Sequence, residues 1–253
     1  MDYLKIKDRV AIVTGAGQGI GEAIAHGLAR YGAVVVASDI NEEKGRGTAQ
    51  DIRDAGGDAV FFRCDVTNLE DIKGLARFAG SKYGRIEILV NNAGGGRAPT
   101  NFYDISDEEW DEMFNYNIKS AFRLIKEVFP YMKAQSFGKI VNISSGYGTT
   151  GGDFCADYAS AKAGLIGLTK SIAKEVARYK INVNAIPAAT TDTPGQRESD
   201  DPEAVAQEIL EIPWGRIGKP EDVANTVLFL VSEAAEYVTG QLVAPNGGRR
   251  MPY

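Results

Sequence analysis

The sequence predicts an α/β fold: a doubly wound parallel β-sheet with helices on both faces, built as a single domain over residues 1–253. Three observations carry this expectation. Six short, nearly continuous apolar runs recur along the chain, the pattern of strands whose two faces are both covered. Helical patterns separate successive runs, as in βαβ units. A glycine-rich turn, Thr14-Gly-Ala-Gly-Gln-Gly-Ile-Gly21, joins the first run to the first helical pattern.

In chain order, the strands are expected at 10–13, 33–38, 59–64, 86–90, 139–143 and 181–186, with 241–243 adding a last short strand. Helical stretches fall near 19–31, 42–55, 68–83, 106–134, 157–180 and 219–232. No interdomain linker, repeat or low-complexity tract interrupts them. Residues 191–215 break the rhythm. They are polar and acidic, with Pro194, Gly195, Asp200, Asp201 and Pro202, and then carry Val205, Ile209 and Ile212 at helical spacing. An insertion after a strand's carboxyl end sits where open α/β sheets bind ligands, so 191–215 is expected to be a substrate lid. A plain surface loop with a helix is the alternative.

Composition excludes several classes of function. The chain has 253 residues, 44% hydrophobic and 25% charged, with a net charge of −6. No block of Lys and Arg offers a basic face to a nucleic acid, so none is expected as a partner. No apolar run approaches the roughly 20 residues of a membrane helix, and the N-terminus lacks a signal-like apolar region. Cys64 and Cys155 are the two cysteines, too few for a disulfide framework, which favours a reducing cytoplasm. A single histidine, His26, argues against zinc, and no metal site is expected.

The glycine turn has the character of a dinucleotide cradle. Gly15, Gly17, Gly19 and Gly21 lie between a strand and a helix, where backbone must approach a pyrophosphate closely. The helix N-terminus adds free N–H groups and partial positive charge. The spacing is Gly-x-x-x-Gly-x-Gly, not Gly-x-Gly-x-x-Gly, and an isolated glycine turn is often only a tight turn. Asp39 ends the second strand 18 residues past Gly21, about where an acidic residue meets the adenosine ribose. A carboxylate there accepts both hydroxyls and repels the extra phosphate of NADP. Gln18 is neutral and Arg46 is expected to face solvent, so NAD is the expected cofactor. Asp65, after the third strand, suits either a hydrogen bond from the adenine amino group or a cap on the helix that follows.

Ser145, Tyr158 and Lys162 form a proton-transfer set. Tyr158 and Lys162 are i and i+4 on one helix and share a face. A free tyrosine has a pKa near about 10, too high for a base at neutral pH. A neighbouring ammonium and an oxidised nicotinamide both favour the phenolate. A shift of about 3 units takes roughly 4 kcal/mol, within reach of a close charge in a partly dry cleft. Ser145 ends the fifth strand, where its hydroxyl can hold a substrate oxygen. With the glycine turn upstream, this set points to a dehydrogenase.

Together these residues resemble the short-chain dehydrogenase/reductase family in its compact form of about 250 residues, with a Rossmann-like fold. The likeness covers essentially the whole chain. Thr14-Gly-x-Gly-x-Gly-Ile-Gly21 is similar to the family's cofactor loop, and Asn91-Asn-Ala-Gly94 to its motif after the fourth strand. Asn117 matches the asparagine that holds a relay water, completing a tetrad with Ser145, Tyr158 and Lys162. Pro220-Glu-Asp-Val-Ala and Thr239-Gly-Gln resemble its C-terminal region. The resemblance implies cofactor contacts from Gly15, Gln18, Gly19, Ile20, Gly21, Asp39, Asp65, Val66, Asn92, Ala93, Gly94, Tyr158, Lys162, Thr191 and Thr193. It also implies a homotetramer built on the helices near 106–134 and 157–180, whose apolar stripes (Phe122, Ile125, Phe129; Leu165, Leu168, Ile172) equally suit packing on the sheet. One departure stands out: Ala188-Ala189, after Pro187, replaces the family's Pro-Gly pair. Alanine resists positive φ, so Ala189 is expected to keep a negative one.

The resemblance leaves the substrate open. Arg97, Ser145, Tyr147, Phe154 and Tyr158 are the candidate contacts. Arg97 suits a substrate carboxylate by bidentate pairing, or is a solvated surface charge. Arg249 and Arg250 are expected to reach a neighbouring subunit's cleft. The first activity expected is NAD-dependent oxidation of a small secondary alcohol, polyol, cyclic alcohol or hydroxy acid, or the reverse reduction. The second is NADPH-dependent 3-oxoacyl-[acyl-carrier-protein] reduction. Ser136 and Tyr179 stand at that enzyme's basic docking positions and are neutral, and an acidic lid would disfavour an acidic carrier. A third, a non-enzymatic NAD-binding scaffold, fits poorly with an intact tetrad.

Overall fold

A computed structural model describes residues 4–199 and 202–251; Asp200 and Asp201, within the expected lid, lie outside the described residues. Six parallel strands form one sheet: β1 Val10–Thr14, β2 Val34–Asp39, β3 Asp58–Arg63, β4 Ile88–Asn91, β5 Gly138–Ser145 and β6 Ile181–Ala188. Their order is β3-β2-β1-β4-β5-β6. The helices are α1 Gly19–Arg30, α2 Glu42–Asp54, α3 Leu69–Tyr83, α4 Asp107–Phe114, α5 Ser120–Gln135, α6 Tyr147–Thr150, α7 Ala156–Val176, α8 Pro194–Ser199, α9 Pro202–Leu210 and α10 Pro220–Val231.

The continuous apolar runs follow from a sheet covered twice. Ala11, Val13, Val35 and Ala37 point to a core shared with Ile24 and Leu28 of α1 and Val223 and Val227 of α10. Val10, Ile12 and Val36 point to the other face, against Leu75 of α3, Leu124 and Val128 of α5 and Val176 of α7. Both parities of each strand must therefore be apolar, and an alternating pattern would leave one core unfilled. Chain reversal between β1 and β4 opens a crevice at the carboxyl edge, where ligands bind in this topology.

Two expectations are corrected here. The stretch 106–134 is not one helix. A π-turn, Asn115–Lys119, separates α4 from α5. At the turn the Asn117 side-chain amide donates to the Met113 carbonyl at 3.1 Å, the acceptor an α-helix would give to the residue-117 backbone N–H. Residues 241–243 form no strand. Leu242 makes only an isolated bridge with Ala185, because the chain turns in at Gly240 (φ 72°) and meets Pro245, which cannot donate. Of the helix stripes, Ile125 packs in the core on the sheet and Leu165 is buried, while Phe122 stays 47% exposed.

Candidate active site

Tight packing at the β1–α1 turn explains its glycines. Gly19 has φ 60°, and a Cβ on Gly21 would lie 2.0 Å from the Gly15 carbonyl oxygen. Asn92 secures the turn by donating to the carbonyls of Thr14 (3.0 Å) and Gly15 (3.1 Å). The turn is thus braced from the end of β4, and Gly15 and Gln18 to Gly21 line the cleft at the sheet edge.

Asp39 stands at the end of β2, as expected. One carboxylate oxygen accepts from Gly17 N (2.8 Å) and the other from Asn41 N (2.9 Å). These bonds fix the carboxylate at the mouth of the glycine turn. Asp65 takes a turn role on one oxygen, accepting from Thr67 N and Thr67 Oγ1, and still lines the cleft. Asn68, not Asp65, caps α3. Arg46 pairs with Glu42 on the surface. Lys44 was missed by the sequence reasoning. It lines the cleft beside Asp39 and donates to Gln18 Oε1. Its position in the first turn after β2 was the available signal.

Ser145, Tyr158 and Lys162 come together at the other end. Register pairs Ser145 with Ala188 on β6, so both sit at the carboxyl edge. The Tyr158 hydroxyl stands beside that of Ser145, whose Oγ also accepts from Tyr147 N at 3.2 Å. Lys162 is buried beneath, donating to the Ile143 carbonyl at 3.0 Å. Burial pushes the Tyr158 phenol up from its ordinary value, with the Ser145 bond opposing in part. Burial also pulls Lys162 down to about 8. This corrects the expected electrostatics: the protein alone does not acidify Tyr158, since desolvation outweighs the serine bond and Lys162 is spent on a carbonyl.

Asn117 is buried on the π-turn. Its side chain accepts from Gly95 N and donates to Gly95 O, both at 3.0 Å, pinning the loop after β4 beside Lys162. All other residues assigned above to cofactor or substrate line a single cleft of about 1510 Å³, wide enough for a dinucleotide and a small substrate. Thr193 packs against Gly19, and Thr191 bridges to Gly218. Val205 from 191–215 also lines the cleft, whereas Ile212 is buried. Ala189 is not among the residues with positive φ, as expected.

Three arginines differ from expectation. Arg97 lines the cleft, but its guanidinium binds Asp157 (2.5 Å) and Glu109 (2.8 Å). It is a paired, part-buried charge and not a free surface one. Arg249 and Arg250 line this chain's own cleft. Arg249 pairs with Glu208 and Glu211, and Arg250 lies 4.7 Å above the Tyr147 ring. A long-range bond, Trp214 N donating to Gly247 O at 3.1 Å, ties the segment before them to the end of the 191–215 stretch. Among the expected substrate residues, Tyr147 and Phe154 are 39% and 59% exposed at the cleft.

A family model described as enoyl-(acyl carrier protein) reductase matches residues 15–250. The chain belongs to the short-chain dehydrogenase/reductase family. It is 39% identical over 246 residues to the 3-oxoacyl-[acyl-carrier-protein] reductase FabG of Thermotoga maritima, covering 97% of this chain and 99% of that one. The FabG of Escherichia coli K12 is 38% identical over 249 residues, 98% of this chain and all of the relative. Among solved structures, a 7α-hydroxysteroid dehydrogenase complexed with NADH and 7-oxo glycochenodeoxycholic acid superposes with a TM-score of 0.94 at 38% identity, over 98% of this chain and 96% of its own. A putative NAD(P)-dependent gluconate 5-dehydrogenase from Beutenbergia cavernae, with bound NADP, gives 0.92 at 36% identity, over 98% of each chain. This short-chain dehydrogenase/reductase is an oxidoreductase on a six-stranded parallel sheet.

Proposed function

We propose that this enzyme interconverts a secondary alcohol and a ketone with NAD(H), Tyr158 moving the proton. The observation that carries the reading is the Tyr158–Ser145 hydroxyl pair over buried Lys162, in the cleft that also holds the glycine turn and Asp39. The nicotinamide, when bound, supplies the hydride acceptor or donor and, oxidised, a positive charge. Ser145 holds the substrate oxygen and keeps it against Tyr158. In oxidation Tyr158 takes the hydroxyl proton as the carbon gives up its hydride; in reduction it returns a proton to the carbonyl oxygen. Lys162, pulled down to about 8 by burial, lies 5.7 Å from the Tyr158 ring, where its charged form can stabilise the phenolate. Asn117 holds the Gly95 loop in place around this set.

The curated relatives favour the narrower second reading, reduction of a 3-oxoacyl group on a carrier protein, since both relatives cited carry that name. One feature of the chain adds to it. Tyr179 is neutral, but Lys133 (5.1 Å) and Arg178 (4.9 Å) flank its ring, so this face is more basic than Ser136 and Tyr179 alone imply. Asp39 speaks against the NADPH half of that reading. Fluorescence titration with NADH and NADPH, followed by turnover on a 3-oxobutanoyl thioester and on short ketones, tests both. NADH binding more tightly with ketone turnover supports the first reading; NADPH preference with thioester turnover replaces it with the second.

A further inference from the structure

Resting on the alcohol–ketone chemistry at Tyr158, we infer that Arg250 anchors a substrate carboxylate, so that the cleft takes a short hydroxy acid or oxo acid. The two C-terminal arginines differ in how their charges are met. Arg249 pairs with Glu208 and Glu211. Arg250 has no carboxylate within ion-pair distance among the described residues, although Asp153 and Glu208 also line the cleft. Its guanidinium rests on the Tyr147 ring, which orients a flat cation without meeting its hydrogen-bonding capacity.

Its location defines the ligand. A Cβ placed on Gly146 would lie 2.6 Å from Arg250 Nη1, so the guanidinium lies directly against Gly146. Gly146 directly follows Ser145, whose hydroxyl holds the reacting oxygen. The guanidinium therefore lies against the residue that follows Ser145, in the cleft that Ser145 and Tyr158 also line. A guanidinium only donates, and its fork fits a carboxylate bidentately. The acid group therefore stands a few carbons from the alcohol or ketone. An acyl thioester has no negative charge so near its ketone, so the free acid is the better fit.

The test uses the full chain with NAD and 2-hydroxybutanoate or 3-hydroxybutanoate, each against its methyl ester, together with a 3-hydroxybutanoyl thioester. The acids are expected to exceed their esters in kcat/KM by about 10- to 100-fold, the range of a charged hydrogen bond. Arg250→Met should bring that ratio to within about threefold, through KM more than kcat, and Arg250→Lys should keep part of it. NADH binding by each variant shows that it folds. Equal rates for acid and ester, a preference that survives Arg250→Met, or faster turnover of the thioester overturns the inference. If no compound is oxidised, the melting shift given by 3-oxobutanoate with NADH decides. An acid-specific shift lost in Arg250→Met upholds the anchor, and its absence in the wild type overturns it. Full turnover by Tyr158→Phe would defeat the proton-transfer reading while leaving acid binding at Arg250 intact.

Discussion

Asp157 links Arg97 to Tyr158: one carboxylate oxygen accepts from Arg97 Nη2 at 2.5 Å, and the other accepts from Tyr158 N at 2.8 Å. Asp157 is buried and lies in the first turn of α7, where a negative charge also meets the helix N-terminus. An arginine on the loop after β4 thereby sets the start of the helix that carries Tyr158 and Lys162.

Arg97→Met should therefore act on stability first. Removing one partner of a buried pair costs about 3–5 kcal/mol, and the lower end applies because the arginine keeps some exposure. For a chain of this size that is a fall in Tm of roughly 6–12 °C. Turnover should fall too, since Tyr158 loses its fixed start. Calorimetry beside steady-state kinetics checks this. An unchanged Tm with only KM raised would mean that Arg97 serves a substrate carboxylate instead.

Tyr158→Phe should lower kcat by about 10²- to 10⁴-fold, the usual contribution of a positioned acid–base group. The ring stays, so NADH binding should persist in a fluorescence titration. Retained turnover would reject Tyr158 as the proton carrier.

Asp39→Ser should move the NADPH-to-NADH affinity ratio toward NADPH by about tenfold or more, equal to at least about 1.4 kcal/mol. The carboxylate that opposes a phosphate of nearly two negative charges is gone. Lys44, already beside Asp39, would then meet that phosphate. Adding Lys44→Met to Asp39→Ser should reverse most of the gain, and a double variant as NADPH-tolerant as the single one would dismiss Lys44.

The sheet was legible because burial on two faces forces continuous apolar runs, and the runs at 10–13 and 181–186 lie within β1 and β6. Asp39, Ser145 and Tyr158 were legible because strand ends and an i, i+4 spacing fix geometry locally. The π-turn was not. The Asn117 amide that takes the Met113 carbonyl is also held by Gly95, whose N–H donates to its Oδ1 from 22 residues away. Arg97 and Arg250 were misjudged for a similar reason. Their partners, Asp157 and Tyr147, are distant in sequence and are brought near by chain closure alone.

Lys162 gives a pH-dependent prediction on stability. Its folded pKa is about 8, against an ordinary value of 10.5, and burial is the cause. Between those values the unfolded chain binds the proton that the folded chain has released, so stability rises as pH climbs from about 8 to 10.5. Below about 8 the buried ammonium is charged in both states and its desolvation opposes folding in full. The difference of about two and a half units corresponds to about 3 kcal/mol. Lys162→Met removes that opposition. It should melt several degrees above the wild type at pH 7, with the gap closing as pH rises through 8 toward 10.5. Thermal melts of both proteins across that window, without cofactor, check the sign. A gap that widens with pH would mean that Lys162 is held charged by a favourable partner rather than buried at a cost.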